Sequence, residues 1–77
     1  MNPDLLIKMV NEISAYFDAE PDPEQAARDV AAHLRRFWDP RMRRQIIAYL
    51  RERNGAGLSA LALRGVTLLA AEAAPET

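Results

Sequence analysis

The chain has 77 residues, 49% hydrophobic and 27% charged, the composition of a single soluble globular domain rather than of a disordered or fibrous chain. It contains no cysteine and one histidine, which excludes disulfides, thiolate metal centres and a histidine relay. Its formal net charge of -1 argues against chain-wide attraction to nucleic acid or anionic lipid, but residues 1–30 hold seven acids and two bases, and residues 31–54 hold seven bases and two acids.

Residues 3–18 place Leu5, Met9, Ile13, Tyr16 and Phe17 at helical spacing, with Leu6 and Val10 widening the stripe and Ile7 on the exposed side. Asn2 and Pro3 supply a cap and a first-turn residue. The segment Asp18-Ala19-Glu20-Pro21-Asp22-Pro23 breaks the pattern, because its prolines remove donors and push the residues before them out of the helical region. A second helix over 23–38 follows, with Asp22 as its cap, Pro23 at its first position and Gln25 where a capping box places Glu or Gln. Its core face reads Ala26, Val30, Leu34 and Phe37.

Asp39 and Pro40 repeat the start signal for a third helix over 40–53. Met42, Ile46, Tyr49 and Leu50 point inward; Arg41, Arg44, Ala48 and Arg51 point outward; Asn54-Gly55 stops it. Ser59 caps a fourth helix over 59–73, with Leu58 and Leu63 spaced as a hydrophobic staple. The apolar residues of that helix cover more than half its circumference, so it is either covered by a partner or left with an exposed leucine patch. The tail 74–77 is expected to fray. The fold class is therefore all-α: one small, bundle-like domain of three to four short antiparallel helices. No apolar run approaches a membrane span and no basic, apolar leader opens the chain, so a cytoplasmic location is expected.

Catalytic signatures are missing from the sequence: it has no phosphate-cradling GxxxxGKS or GxGxxG loop, no HExxH and no GxSxG. The acids Asp18, Glu20, Asp22 and Glu24 lack the glycine and terminal glutamate of an EF-hand and read as turn and cap residues. His33 sits at the edge of an apolar face with no nucleophile recognisably paired to it. The dense segment is His33-Leu34-Arg35-Arg36-Phe37-Trp38-Asp39-Pro40-Arg41-Met42-Arg43-Arg44, five arginines and two aromatics around one interhelical corner. Trp38 falls on the flank of its helix, near where Arg43 and Ile47 emerge on the next. Tryptophan and arginine are the residue types enriched at interface hot spots. The corner therefore reads as a contact surface, with Trp38 as its anchor.

At His33 through Arg43 the sequence resembles the small delta subunit of soluble, molybdenum-containing, NAD-dependent formate dehydrogenases. Leu5 through Ile13, Tyr16-Phe17 and Gly57-Leu58 extend the resemblance over nearly the whole chain. It implies a non-catalytic accessory subunit of a bacterial cytoplasmic complex that oxidises formate to carbon dioxide and reduces NAD. The chain would bind the large molybdenum-containing catalytic subunit and support assembly or stability of the complex. The molybdenum cofactor, the iron–sulfur clusters and FMN would lie on other subunits, with no cofactor, metal or catalytic residue on this one. Its partner-binding candidates are Arg35, Arg36, Trp38, Asp39, Arg41, Arg43, Arg44 and Ile47. The alternatives are a free-standing helical adaptor or a self-associating module, which in isolation forms a homo-oligomer. A small nucleic-acid binder ranks lower, because the chain is acidic overall and Asp39 occupies the helix start where a phosphate would sit.

Overall fold

Each helix begins where a short polar side chain accepts a backbone N–H that the first turn leaves free. The computed structural model describes residues 2–73, so the fraying expected over 74–77 lies outside the described residues. Helix α1 spans Pro3–Phe17, α2 Pro23–Phe37, α3 Pro40–Arg53 and α4 Ala60–Ala73. Asn2 Oδ1 accepts from the Asp4 amide at 2.9 Å, Asp22 Oδ1 from Glu24 at 3.0 Å, Asp39 Oδ1 from Met42 at 2.9 Å and Ser59 Oγ from Ala62 at 3.2 Å. Pro3, Pro23 and Pro40 open the first three helices, where the missing N–H costs nothing. Gln25 does not close the expected capping box. Its amide is engaged along the helix, donating to Asp29 and accepting from Arg28, and Glu20 accepts the Asp22 N–H instead.

The α3–α4 turn is built by left-handed backbone. Asn54, Gly55 and Gly57 have φ of 57°, 73° and 91°, a region glycine enters without steric penalty and asparagine tolerates. Asn11 of α1 holds this turn from across the domain: its amide donates to Gly57 O at 3.0 Å and its carbonyl oxygen accepts from Ser59 N at 2.9 Å. Tyr49 adds a bond from its hydroxyl to Ala56 O. Leu58 and Leu63 are both half-buried and converge on Gly55, as the staple predicts.

The described residues form four helices and no strand. Helix α4 packs on all three others, most extensively on α2. One continuous core joins Leu6 and Val10 of α1, Val30, Ala31 and Leu34 of α2, Ile46 and Ile47 of α3, and Ala62, Val66, Leu69 and Ala70 of α4, closed at one end by Trp38. The α2–α4 seam is lined by small residues. Ala26, Ala27 and Ala31 face a helix whose buried positions include Ala62, Gly65 and Ala70. At Gly65 a Cβ would come within 2.7 Å of Val30 Cβ, so only hydrogen fits.

Several face assignments differ from the periodicity. On α1 the buried line is Leu6, Val10 and Ser14, whereas Leu5 is 46% and Tyr16 80% exposed. Ile7, expected outside, is half-buried against the core and lies near Gly57. On α2, Phe37 is 67% exposed and Trp38 only 6%, the reverse of the expectation. Ile47, expected to emerge with Arg43, is 7% exposed. On α4, Leu61 and Leu68 pack half-buried against the core, and half-buried Leu63 and Leu68 line an open apolar depression between α2 and α4, so part of the expected leucine patch remains exposed.

Gly65→Ala tests the seam. Alanine gains about 1 kcal/mol of helix propensity over glycine, but the β-branched Val30 cannot yield at its own Cβ, and overpacking of this kind costs about 1–3 kcal/mol. Urea denaturation is expected to show Gly65→Ala less stable than the parent, against the propensity scale.

Candidate partner-docking surface

The arginine-rich corner separates into two groups once its hydrogen bonds are traced. Helix α2 ends as Trp38 adopts extended backbone, with φ -89° and ψ 142°, which turns the chain toward α3, while the indole of Trp38 is buried. Asp39 caps α3, and one turn later Arg43 reaches back over the corner. Its Nη1 donates to Arg35 O at 2.7 Å and to Trp38 O at 2.9 Å. These carbonyls belong to the end of α2 that has no intrahelical partners, and a cation there also meets the negative end of the helix dipole. Trp38, Asp39, Arg43 and Ile47 thus hold the corner together from within.

Arg35 leaves the corner in another direction and pairs with Glu72 on α4, both side chains being about half exposed, so the pair adds little stability of its own. Arg36, Arg41 and Arg44 are exposed, and among the described residues none has an acidic partner within ion-pair distance. A shallow groove runs between α3 and the end of α4, lined by Arg44, Ile47, Leu69 and Glu72 among others. Of the eight corner candidates, Arg35, Arg36, Asp39, Arg41 and Arg44 are exposed, Arg43 is half-buried, and Trp38 and Ile47 are buried.

The second feature is an aromatic ledge where α1 ends against α2. Tyr16 and Phe17 meet edge-on with centroids 5.1 Å apart, Phe17 faces His33 at 6.1 Å, and His33 faces Phe37 at 4.8 Å. Phe17 and His33 are half-buried and anchor the row, while Tyr16 and Phe37 stand in solvent. Two adjoining depressions share Phe17 and His33, bordered by Glu12 and Ile13 on one side and by Asp29 and Arg36 on the other. Periodicity did not find this surface, because it assigned Tyr16 and Phe37 to the core. Pairs of solvent-exposed aromatics on so small a domain are the usual mark of a contact site.

The acidic loop contributes capping oxygens: Asp22 accepts from Glu24 N and Glu20 from Asp22 N. Among the described residues, no group of three His, Asp or Glu side chains gathers in a way that could hold a metal ion. No helix among them is long and apolar enough to cross a membrane.

Trp38 and Phe37 give opposite expectations for truncation. Trp38→Ala is expected to cost about 3 kcal/mol or more of stability, as for other buried aromatics, whereas Phe37→Ala is expected to change it by no more than about 0.5 kcal/mol. Urea titrations followed by circular dichroism of the two variants check this.

Comparison with known proteins adds one finding. The family model described as NADH-dependant formate dehydrogenase delta subunit FdsD matches residues 5–66 of the 77. No curated protein and no solved structure matches the chain.

Proposed function

The chain belongs to the delta-subunit family of NADH-dependent formate dehydrogenases, and from that membership we propose that it is a non-catalytic cytoplasmic subunit that docks on the large molybdenum-containing catalytic subunit and supports assembly or integrity of the complex. In this reading the molybdenum cofactor, the iron–sulfur clusters and FMN reside on other subunits, and this chain supplies a binding surface. With no cysteine in its sequence, it has no thiolate to ligate an iron–sulfur cluster.

The observation that carries the docking role is the exposed aromatic ledge. Tyr16 and Phe37 remain in water while the core closes without them, so neither ring is needed to complete the fold. Burying such rings at an interface releases their hydration and gives rigid contact area with few torsions to freeze. Arg36 beside Phe37 adds a guanidinium that can pair with a carboxylate at the interface margin. Docking would also stabilise the small domain by mass action, since only the folded form presents the ledge. Trp38, by contrast, acts on docking through the integrity of the corner.

Self-association is the competing use of the same surface, because two ledges can cover each other when no partner is present. A tagged copy expressed in its native host and purified gently is expected to bring the large catalytic subunit with it, together with formate-dependent NAD reduction. The Tyr16→Ala/Phe37→Ala double variant is expected to retain its helical spectrum and lose about 2 kcal/mol or more of binding to that subunit. Recovery of the chain solely as its own oligomer would overturn the proposal in favour of a self-associating module.

A further inference from the structure

Helix α3 carries a predominantly basic exposed face. Arg41, Arg44 and Arg51 are all exposed and project on the same side of the helix, with exposed Ala48 between them. At 1.5 Å per residue the stripe runs for about 15 Å. Among the described residues none of the three is ion-paired. Arg41 and Arg44 are three residues apart, a spacing at which like charges repel on a helix surface. Asp39 at its cap and exposed Glu52 near its far end are the acids on this helix; the other acids of the chain are concentrated in residues 1–30. The fold therefore bears a small, repeated electrostatic cost on one face, and an external anion would relieve it.

We infer that this face receives an acidic segment of the large catalytic subunit, its carboxylates spread over roughly three helical turns, an inference that rests on the proposed docking to that subunit. Two observations favour a protein carboxylate stripe over a nucleic-acid backbone. The net charge of -1 gives a polyanion no long-range attraction to the chain. Arg44 also borders the groove containing Ile47 and Leu69, which offers an apolar side chain of a protein segment somewhere to rest. Ala48, the smallest residue of the stripe, lets such a segment lie close between the guanidinium groups.

The test is the affinity of the full chain for the purified large catalytic subunit, measured by calorimetry at low and moderate salt. Charge reversal in Arg41→Glu/Arg44→Glu/Arg51→Glu is expected to weaken binding about 100-fold at low salt and to flatten its salt dependence. The lysine triple variant, which keeps the charge, is expected to stay within about tenfold of the parent. Ala48→Glu inserts a carboxylate into the stripe without removing an arginine, so it reports on the face even if the triple reversal perturbs folding, and it too is expected to bind more weakly. Parent-like affinity in both the reversal and Ala48→Glu variants overturns this inference while leaving the subunit reading intact. Failure of the parent chain to bind the catalytic subunit overturns both. Tighter binding of the parent to a DNA duplex than to the subunit, abolished by the reversal, overturns it in favour of a nucleic-acid ligand.

Discussion

The missing side chain at Gly65 is what allows α4 to lie against α2, and the remaining packing follows from that closeness. With Val30 pressed toward the Gly65 backbone and the Ala27 carbonyl 3.6 Å from the position of a Cβ, the seam is set by backbone and methyl groups. Close-packed interiors tolerate little variation in such a seam. Because α2 and α4 approach so nearly, α1 and α3 can each touch α4, and four short helices share one core. A domain of this size has little apolar surface to bury, so dense packing of small residues compensates for the scarcity of large ones.

The α2–α3 corner shows how a segment rich in interface-type residues can be consumed by the fold. Trp38 completes the core, Asp39 caps the next helix, Pro40 begins it and Arg43 bonds the carbonyls that the preceding helix leaves open. Each residue answers a demand that the corner itself creates. The arginines left over, Arg36, Arg41 and Arg44, are free to meet a partner because Arg43 alone serves the two carbonyls of Arg35 and Trp38.

Helix boundaries were legible to within a residue, because caps and prolines act locally: Asn2-Pro3, Asp22-Pro23, Asp39-Pro40 and Asn54-Gly55 each decide their own turn of backbone. The buried faces were less legible, for two separate reasons. Phe37 and Trp38 are neighbours at the end of α2, and which of them is covered is decided by where α3 runs after the corner: Trp38 joins Ile46 and Ile47 in the core, while Phe37 stays in solvent. On α1 the apolar stripe is broad enough to admit more than one centre. The observed centre of Leu6, Val10 and Ser14 includes a buried serine whose hydroxyl finds no partner among the described residues, a choice that hydrophobicity ranks below a line through Leu5 and Tyr16. The capping role of Arg43, read from the sequence as a partner contact, depends on the carbonyl end of a neighbouring helix, which exists only after the corner has folded.

The exposure of Tyr16 and the burial of Ser14 are two aspects of one rotation of α1. Turning the helix to hide Tyr16 would also move Leu6 and Val10, both almost fully inaccessible, away from the core. It would equally carry Asn11 off the α3–α4 turn, leaving the Gly57 carbonyl and the Ser59 amide without their bonds to it. The polar clamp and the aliphatic contacts therefore hold α1 at an angle that leaves an aromatic ring in water and a hydroxyl in the core. Aliphatic burial and satisfied backbone groups outweigh both costs within the isolated chain. What remains uncompensated is one apolar ledge and one basic helix face. A partner that covers the first and neutralises the second recovers energy that the fold alone leaves unused, which is how a subunit with little core of its own can hold its place in a larger complex.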